Sequence, residues 1–343
     1  MKIAVYGAGS MGMVLGALLT RSGLDVTLVD ADPRHVDMMA REGACIAGTL
    51  KTVIPVCAVL PENMEGTYDL VFLMTKQTVN QDAAERLKPH LHSGSTVCTL
   101  QNGVPEPSVG ELFGPERTVG GIMMWSAGLA GPGVSVLNTV IDDPAYPLFE
   151  IGEVDGSITP RIRTVAEVLG CMGNTLITDN LMGARWFKLM VNSTISGMST
   201  ALGITFYEAL RESPFDRYSA FVARECGRVC KAAGVKMPPF HGEDPADICD
   251  FDSEEGLTHF MEMITTIIPG DNKTGIASML MDLKRGKRHT EIDMINGFVT
   301  SEGDRYGIDT SFNDAIVSIV KDIENGRAEF CKENLKRFPL PEL

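Results

Sequence analysis

The sequence predicts an α/β domain followed by an all-α domain. Its 343 residues exceed one ordinary hydrophobic core and suit two domains of roughly 150 to 180 residues each. In the first half, short apolar segments alternate with helical segments, which is typical of a parallel sheet with crossover helices. Beyond residue 180 the helical period continues while strand signals fade. We therefore expect two domains, spanning residues 1–180 and 181–343.

Local patterns predict the elements of the first domain. Apolar segments predict strands at residues 3–6, 26–29, 70–74 and 97–100, with a weaker candidate at 53–59. Helices are expected to begin near Ser10, Pro33 and Thr78. The glycine-rich stretch 118–140 predicts antiparallel hairpins that continue the sheet, and a helix at 159–169 and a strand at 175–178 complete the domain. Residues 236–256, rich in prolines and acids, predict a surface loop.

Composition limits the classes of partner. The formal charge of -15 argues against nucleic acid, because phosphate backbones attract basic surfaces. We expect no membrane span, since no stretch of about 18 apolar residues occurs. The eight cysteines form no regular framework, which suits a reducing cytoplasm. Cys226 and Cys230 lie one helical turn apart without further ligands nearby, so we expect no metal.

A glycine-rich loop near the N-terminus predicts a nucleotide site. It follows a predicted strand, opens a predicted helix, and consists of Gly7, Ala8, Gly9, Ser10, Met11 and Gly12. In such loops the first glycine permits a tight turn, the second lets the backbone approach a pyrophosphate, and the third allows close helix–strand packing. The helix N-terminus would attract the anion. The alternative is a tight turn that binds no ligand.

Asp30 ends the second predicted strand, 18 residues after Gly12. An acid at this position accepts hydrogen bonds from the adenosine ribose and repels a 2′-phosphate, so it favours NAD(H) over NADP(H). Two alternatives stay open. Arg34 could receive a 2′-phosphate, which would allow NADP(H), and Asp30 could serve only as a turn residue.

Lys188 and Asn192 are the candidates for catalysis in the second domain. They are four residues apart on a predicted helix and therefore share one face. A lysine and an asparagine in a cleft could protonate and orient a carbonyl oxygen while hydride reaches its carbon. Most helical lysines are merely solvated, but Lys188 lies among Trp186, Phe187 and other apolar residues.

Several landmarks together give a resemblance to a known family. They are the loop Gly7–Gly12, Lys76 after the fourth strand, Gln101-Asn102-Gly103 after the fifth, Lys188 with Asn192, and Ser278 with Thr290-Glu-Ile-Asp-Met-Ile-Asn-Gly297. These landmarks occur in the same order as in the ketopantoate reductase family, which the chain resembles over about residues 1 to 320. The resemblance implies a Rossmann-type domain, a helical domain of the 6-phosphogluconate dehydrogenase-like kind, and reduction of a small 2-oxo acid, 2-dehydropantoate or a related acid.

The resemblance also implies roles for matching residues. Lys188 would be the general acid and Glu291 would bind a substrate hydroxyl, whereas Asn102, Asn192 and Ser278 would hold the carboxylate and oxo group. Lys76 would lie near the nicotinamide ribose or the substrate. The alternative for Glu291 is a surface carboxylate paired with Lys287 or Arg288.

Three departures from the family pattern concern the substrate and the cofactor. Ser196 stands where the family commonly has a second asparagine. Asp30 replaces the basic residues of many NADPH-using members. The segment from Ser278 to Glu291 is one residue longer than usual, which leaves Asn272 or Lys273 as alternatives that could share the role of Ser278.

Two other functions compete with the reductase. A β-hydroxyacid dehydrogenase of the 3-hydroxyisobutyrate type shares the loop and the lysine, but its Asp-x-Pro-x-Ser-Gly-Gly substrate loop is absent near residue 120. A non-catalytic redox sensor would have no need for Lys188, Asn192 and Glu291 together. Finally, the apolar residues from Ile316 to Val320 predict a homodimer through C-terminal helices.

Overall fold

The computed structural model describes residues 1–268 and 273–343. The chain forms two compact units. The first comprises Met1–Gln101 and Pro105–Leu181, and the second comprises Asn102–Val104 and Met182–Leu343. The predicted order of an α/β part and an all-α part is confirmed. Among the described residues, no helix is long and apolar enough to cross a membrane.

The first unit alternates strands and helices. Its strands are β1 (Lys2–Tyr6), β2 (Asp25–Val29), β3 (Ala44–Gly48), β4 (Thr52–Ile54), β5 (Cys57–Val59), β6 (Tyr68–Leu73), β7 (Leu91–Thr99), β8 (Thr118–Met123), β9 (Ala127–Gly131), β10 (Val134–Leu137), β11 (Phe149–Gly152) and β12 (Thr175–Ile177). Its helices are α1 (Ser10–Arg21), α2 (Pro33–Glu42), α3 (Asn80–Leu87), α4 (Glu106–Phe113) and α5 (Pro160–Gly170).

Eight strands form the main sheet, in the order β12-β11-β8-β7-β6-β1-β2-β5. Six neighbouring strands of this sheet run parallel, namely β5, β2, β1, β6, β7 and β8. The next strand, β11, pairs antiparallel with β8. The strand order reverses at β1, which lies between β2 and β6. In sheets of this kind ligands bind beyond the carboxyl ends of the strands at the reversal, and that is where β1 enters the glycine loop.

The two regions where the strand predictions were wrong each contribute strands to a second, four-stranded sheet, β4-β3-β10-β9. The single strand predicted at 53–59 is two short strands, of which β4 joins the small sheet and β5 the main sheet. The hairpin of β9 and β10 does not continue the main sheet, because β10 pairs with β3 instead. Of the strands in residues 118–140, only β8 joins the main sheet, where it lies parallel to β7.

The second unit is helical. Its helices are α6 (Leu181–Val191), α7 (Gly197–Leu202), α8 (Phe206–Arg211), α9 (Phe215–Ala232), α10 (Pro245–Ile248), α11 (Glu254–Ile264), α12 (Ser278–Lys284), α13 (Asn296–Tyr306) and α14 (Ser311–Glu324). A π-helical turn, Asn192–Ser196, joins α6 to α7. The region 236–256, predicted as a loop, contains the short helix α10.

The apolar residues expected to form a dimer surface lie in the core of the second unit. Ile316, Ile319 and Val320 have no exposed surface. The apolar character of this stretch therefore reflects packing of α14 within its own unit.

Candidate active site

The glycine loop makes close backbone contacts, and a side chain at Gly7 or Gly12 would block them. The N–H groups of Gly7 and Ala8 donate to the carbonyl oxygen of Val29, at 2.8 and 2.9 Å. Gly7 has a φ of +99°, and a Cβ on it would lie 2.5 Å from the backbone nitrogen of Thr75. A Cβ on Gly12 would lie 2.1 Å from the carbonyl oxygen of Gly7. These two glycines let the loop pass between β1, β6 and α1.

Gly9 differs from the other two glycines of the loop. A Cβ on Gly9 would meet no atom within 4 Å, so this residue faces open space. It is the N-cap of the 12-residue helix α1, whose first N–H groups and positive dipole end attract an anion. The loop therefore fits a dinucleotide pyrophosphate, which Gly9, Ser10 and Met11 would contact through their backbone.

His35 supports this loop from behind, a residue that no sequence motif indicated. It is 2% exposed, and its Nε2 lies 2.8 Å from the carbonyl oxygen of Ala8. The N–H of Gly133, immediately before β10, donates to Nδ1 of His35 at 2.9 Å. Because Nδ1 accepts, Nε2 carries the proton and donates to Ala8. The imidazole thus connects the glycine loop to the small sheet.

Asp30 lies directly after β2, half-buried, with one carboxylate oxygen accepting from the N–H of Asp32 at 3.0 Å. Its second oxygen has no hydrogen bond within the described ranges. Asp32 caps α2 by accepting from the N–H groups of Arg34 and His35. Arg34 itself is exposed. The carboxylate of Asp30 is therefore available to a ribose, and the guanidinium of Arg34 lies four residues further along the chain.

Lys76 follows β6, half-buried, next to a buried amide network. Nε2 of Gln101 donates to the carbonyl oxygen of Thr75 at 2.8 Å and to Oδ1 of Asn80 at 2.7 Å. These bonds join the carboxyl ends of β6 and β7, and thereby fix the backbone that carries Lys76. The sequence singled out Gln101 only as part of a motif, without this role.

In the second unit, Lys188 lies on α6 among anchored aromatic residues. Trp186 is 2% exposed and packs edge-on against Phe298, with ring centroids 5.6 Å apart. Phe187 packs against Phe240 with centroids 5.3 Å apart. These contacts fix the rotation of α6 and hence the face that Lys188 presents.

The electrostatic setting of Lys188 is unfavourable for a cation. Its side chain is half-buried, and Arg185, three residues earlier on α6, is 1% exposed. Burial, together with the positive charge of Arg185, lowers the pKa of Lys188 from 10.5 to about 7. The amine can therefore gain or lose a proton near neutral pH, as a general acid requires.

Asn192 begins the π-helical turn and Ser196 ends it. The N–H of Gly197 donates to the carbonyl of Asn192, five residues earlier, which is the hydrogen bond of a π-helix. Lys188, Asn192 and Ser196 are half-buried, whereas the three residues between Asn192 and Ser196 are buried. The helix thus places these three predicted residues on one stripe outside the core. Such turns are frequent at functional sites.

Glu291 lies just before a short 3-10 turn, in a segment anchored to α14. The backbone N–H and the hydroxyl of Thr290 both donate to Oε1 of Glu324 at 2.7 Å. Nζ of Lys321 contacts the carboxylates of Asp293 and Glu324. Residues on both sides of Glu291 are therefore held by α14. Lys287, one of its predicted alternative partners, pairs with Asp282 at 2.9 Å.

The remaining predicted substrate residues also lie in the second unit. Ser278 is exposed at the first position of α12, and the N–H of the preceding Ala277 donates to Oγ of Ser199 at 3.1 Å. Asn102 is half-buried, two residues before Val104, which packs in the core with Trp186. Asn272 lies outside the described residues. Within residues 1–268 and 273–343, no group of three or more His, Cys, Asp or Glu side chains is arranged to hold a metal ion.

Comparisons with known proteins agree on one family. Residues 3–143 match the family model described as Ketopantoate reductase PanE/ApbA, and residues 180–324 match the model of its C-terminal part. A 2-dehydropantoate 2-reductase of Archaeoglobus fulgidus is 27% identical, over 95% of this chain and 98% of that protein.

Two solved structures are similar over nearly the whole chain. One is D-mandelate dehydrogenase with NADH and anilino(oxo)acetate, with a TM-score of 0.80 and 26% identity over 95% of this chain and 99% of that one. The other is a PanE/ApbA family ketopantoate reductase from Ralstonia eutropha, with a TM-score of 0.78 and 27% identity over the same shares.

The contrast between Gly9 and Gly12 gives a testable prediction. Gly9→Ala should leave the melting temperature unchanged but raise the Kd for NADH about tenfold or more, because its methyl group would occupy the space left for pyrophosphate. Gly12→Ala should lower the melting temperature, since its methyl group meets the Gly7 carbonyl. Thermal unfolding and fluorescence titration with NADH measure both effects.

Gly170→Ala is the matched control, because a Cβ there also meets nothing within 4 Å and the residue ends α5. It should change neither quantity. Unchanged NADH affinity in Gly9→Ala would show that the cofactor does not approach this loop.

Proposed function

Because this chain belongs to the ketopantoate reductase family, we propose that it reduces a small 2-oxo acid to the 2-hydroxy acid with NADH, and that the substrate is 2-dehydropantoate or a related acid. The observation that carries the proposal is the position of Lys188, a half-buried amine with a pKa near 7 on the same helical stripe as Asn192. A non-catalytic nucleotide sensor would gain nothing from placing a cation in this unfavourable setting.

The reaction needs one hydride and one proton. The glycine loop and Asp30 would hold the cofactor, whose nicotinamide would supply the hydride. As the carbonyl carbon of the substrate accepts it, the electron pair of the C=O bond moves to oxygen, and the ammonium of Lys188 gives that oxygen its proton. Lys188 is left neutral and regains a proton from solvent. The balance is 2-oxo acid, NADH and one proton giving 2-hydroxy acid and NAD⁺.

The other side chains bind and orient the substrate. Asn102, Asn192 and Ser278 would hold its carboxylate and oxo group by hydrogen bonds, and Ser196 extends the polar stripe of Asn192. Glu291 would accept a hydrogen bond from a substrate hydroxyl. Lys76, at the carboxyl end of β6, would bind the nicotinamide ribose or the substrate carboxylate.

The experiment that tests the function is NADH oxidation with a panel of 2-oxo acids, read at 340 nm as loss of NADH absorbance. The panel includes 2-dehydropantoate, branched and unbranched alkyl 2-oxo acids, and aryl 2-oxo acids. The aryl compounds are included because of the similarity to D-mandelate dehydrogenase. Turnover of at least one acid is expected. Absence of turnover with every acid and with either cofactor would reject the reductase.

Asp30 carries the prediction on cofactor choice. NADH should bind more tightly than NADPH, and Asp30→Ala should narrow the difference, because it removes both a ribose hydrogen bond and a charge that repels the 2′-phosphate. Isothermal titration with each cofactor measures the two Kd values. Asp25→Ala, at the exposed start of the same strand, is the control. Equal or tighter binding of NADPH by the unmodified chain would contradict the preference.

Lys188 should matter for turnover and not for cofactor binding. Lys188→Ala should lower kcat by about 10² to 10⁴, the usual contribution of general acid catalysis, because the developing oxyanion loses its proton donor. The Kd for NADH should stay within about twofold, since the glycine loop lies in the other unit. Steady-state kinetics with the best acid of the panel and NADH titration give the two values. A variant that keeps most of its turnover would rule out the proposed role.

Glu291 should affect substrate binding in a way that depends on the substrate. Glu291→Ala should raise KM more than Lys188→Ala does, because its hydrogen bond to a hydroxyl exists before and during hydride transfer. The penalty should shrink for 2-oxo acids that lack this hydroxyl. Comparing kcat/KM for hydroxylated and hydroxyl-free acids measures the difference. An equal loss on both kinds of acid would show that Glu291 is structural or transfers protons.

A further inference from the structure

Asn296 occupies a buried position between two parts of the candidate site. It is the first residue of α13, five residues after Glu291, and has no exposed surface. Its Nδ2 donates to the carbonyl oxygen of Ser193 at 3.0 Å, inside the π-helical turn that begins with Asn192. One side chain therefore connects the segment of Glu291 to the helix of Lys188 and Asn192.

A second asparagine fixes the direction of this amide. Nδ2 of Asn296 also donates to Oδ1 of Asn313 at 2.9 Å, and Nδ2 of Asn313 donates to the carbonyl of Val222 at 3.2 Å. Because the carbonyls of Ser193 and Val222 can only accept, neither amide can be reversed without losing its bonds. Glu225 completes the chain by accepting from the backbone and side-chain nitrogens of Asn313, at 2.9 and 2.8 Å.

The packing around Asn296 is close and leaves one polar atom unsatisfied. A Cβ on Gly197, the residue after the π-helical turn, would lie 2.7 Å from Oδ1 of Asn296. That oxygen is buried and has no hydrogen-bond partner in the part of the chain that the structure describes. A buried acceptor without a partner destabilises the folded state, because it loses its hydrogen bonds to water and gains none in return. Stability therefore does not explain why an asparagine occupies this position, which points to another use for its amide.

We propose that Asn296 is a positioning residue that holds the π-helical turn of Asn192 and the segment of Glu291 at a fixed separation. The inference rests on the proposed function, because the separation matters only if Lys188, Asn192 and Glu291 act on one substrate. The residue before Glu291 is held by α14, through the bonds of Thr290 to Glu324 and of Glu324 to Lys321. Asn296 then links this segment to the helix that carries Lys188. A displacement of about 1 Å in such a site can cost about 100-fold in rate.

Asn296→Asp tests the proposal, because it keeps the shape but turns an acceptor toward the oxygens of Ser193 and Asn313. It should lower kcat about 10- to 100-fold while the Kd for NADH stays unchanged. Asn334→Asp is the matched control. Nδ2 of Asn334 also donates to two carbonyls, those of Ala201 and Glu329, both at 2.8 Å, and the residue is 8% exposed. Both variants should lower the melting temperature, but only Asn296→Asp should lower kcat.

Gly197→Ala serves if Asn296→Asp fails to fold. It keeps every polar group and only displaces the amide of Asn296, so a smaller fall in kcat is expected, again without a change in NADH affinity. Equal kcat in the wild type and in the folded variants would overturn the positioning role, and Asn296 would then serve stability only.

A crystal structure of Asn296→Asp separates this inference from the proposed function. Conversion of residues 192–196 to a regular α-helix, or a shift of the Glu291 segment, is expected. If the wild type reduces no 2-oxo acid, the proposed function fails. The crystal structure of the variant then still tests whether Asn296 holds the π-helical turn and the Glu291 segment together. An unchanged π-helical turn and an unmoved Glu291 would refute it.

Discussion

The chemistry proposed for this chain depends on keeping one lysine ammonium partly out of water. A cation loses solvation free energy when it is buried, and the buried guanidinium of Arg185 adds repulsion. Both effects favour the neutral amine and lower its pKa to about 7. A proton donor with this pKa suits hydride transfer to a carbonyl near neutral pH, whereas a solvated lysine would hold its proton too firmly.

The packing of the second unit explains how this setting is maintained. α6 cannot rotate to expose Lys188 without moving Trp186 from Phe298 and Phe187 from Phe240. The π-helical turn then brings Asn192 and Ser196 onto the same stripe as Lys188, and Asn296 holds that turn from α13. In the first unit the glycine loop is fixed just as closely, by the bonds to Val29 and by His35. Both units thus hold their reactive elements by buried side-chain packing and by hydrogen bonds to backbone atoms.

The sequence predicted the parts of the fold whose signals are local. β1, β2, β6 and the starts of α1 and α2 follow from apolar runs, glycines and an Asp-Pro cap, and all lie within a residue or two of their expected positions. The second sheet was not predicted, because β3 gains its partner β10 from about 90 residues away, and its sequence Ala-Cys-Ile-Ala-Gly carries few strand-favouring residues. Burial of Ile316 to Val320 likewise depends on tertiary packing, which an apolar run alone does not reveal.

The candidate site shows the same division. Glycine spacing and the Lys188–Asn192 interval are readable from the sequence, because each reflects one turn or one helix face. The π-helical turn and the supports from His35 and Asn296 are not readable, since the residues of Asn192–Ser196 carry no local signal for a π-helical hydrogen bond and each support acts through backbone atoms distant in the chain. The motif from Thr290 to Gly297 was singled out by resemblance, and the structure gives a physical reason for it: Thr290, Asp293 and Asn296 anchor the segment that carries Glu291.

The most direct test of this account is a titration of Lys188 itself. The full chain with ¹³C-labelled lysine can be followed by NMR from pH 5 to 11, and the resonance that disappears in Lys188→Met identifies the residue. We predict that this ammonium loses its proton at about pH 7. Titration of Lys188 above pH 10 would contradict the account, because the lysine would then be an ordinary solvated cation.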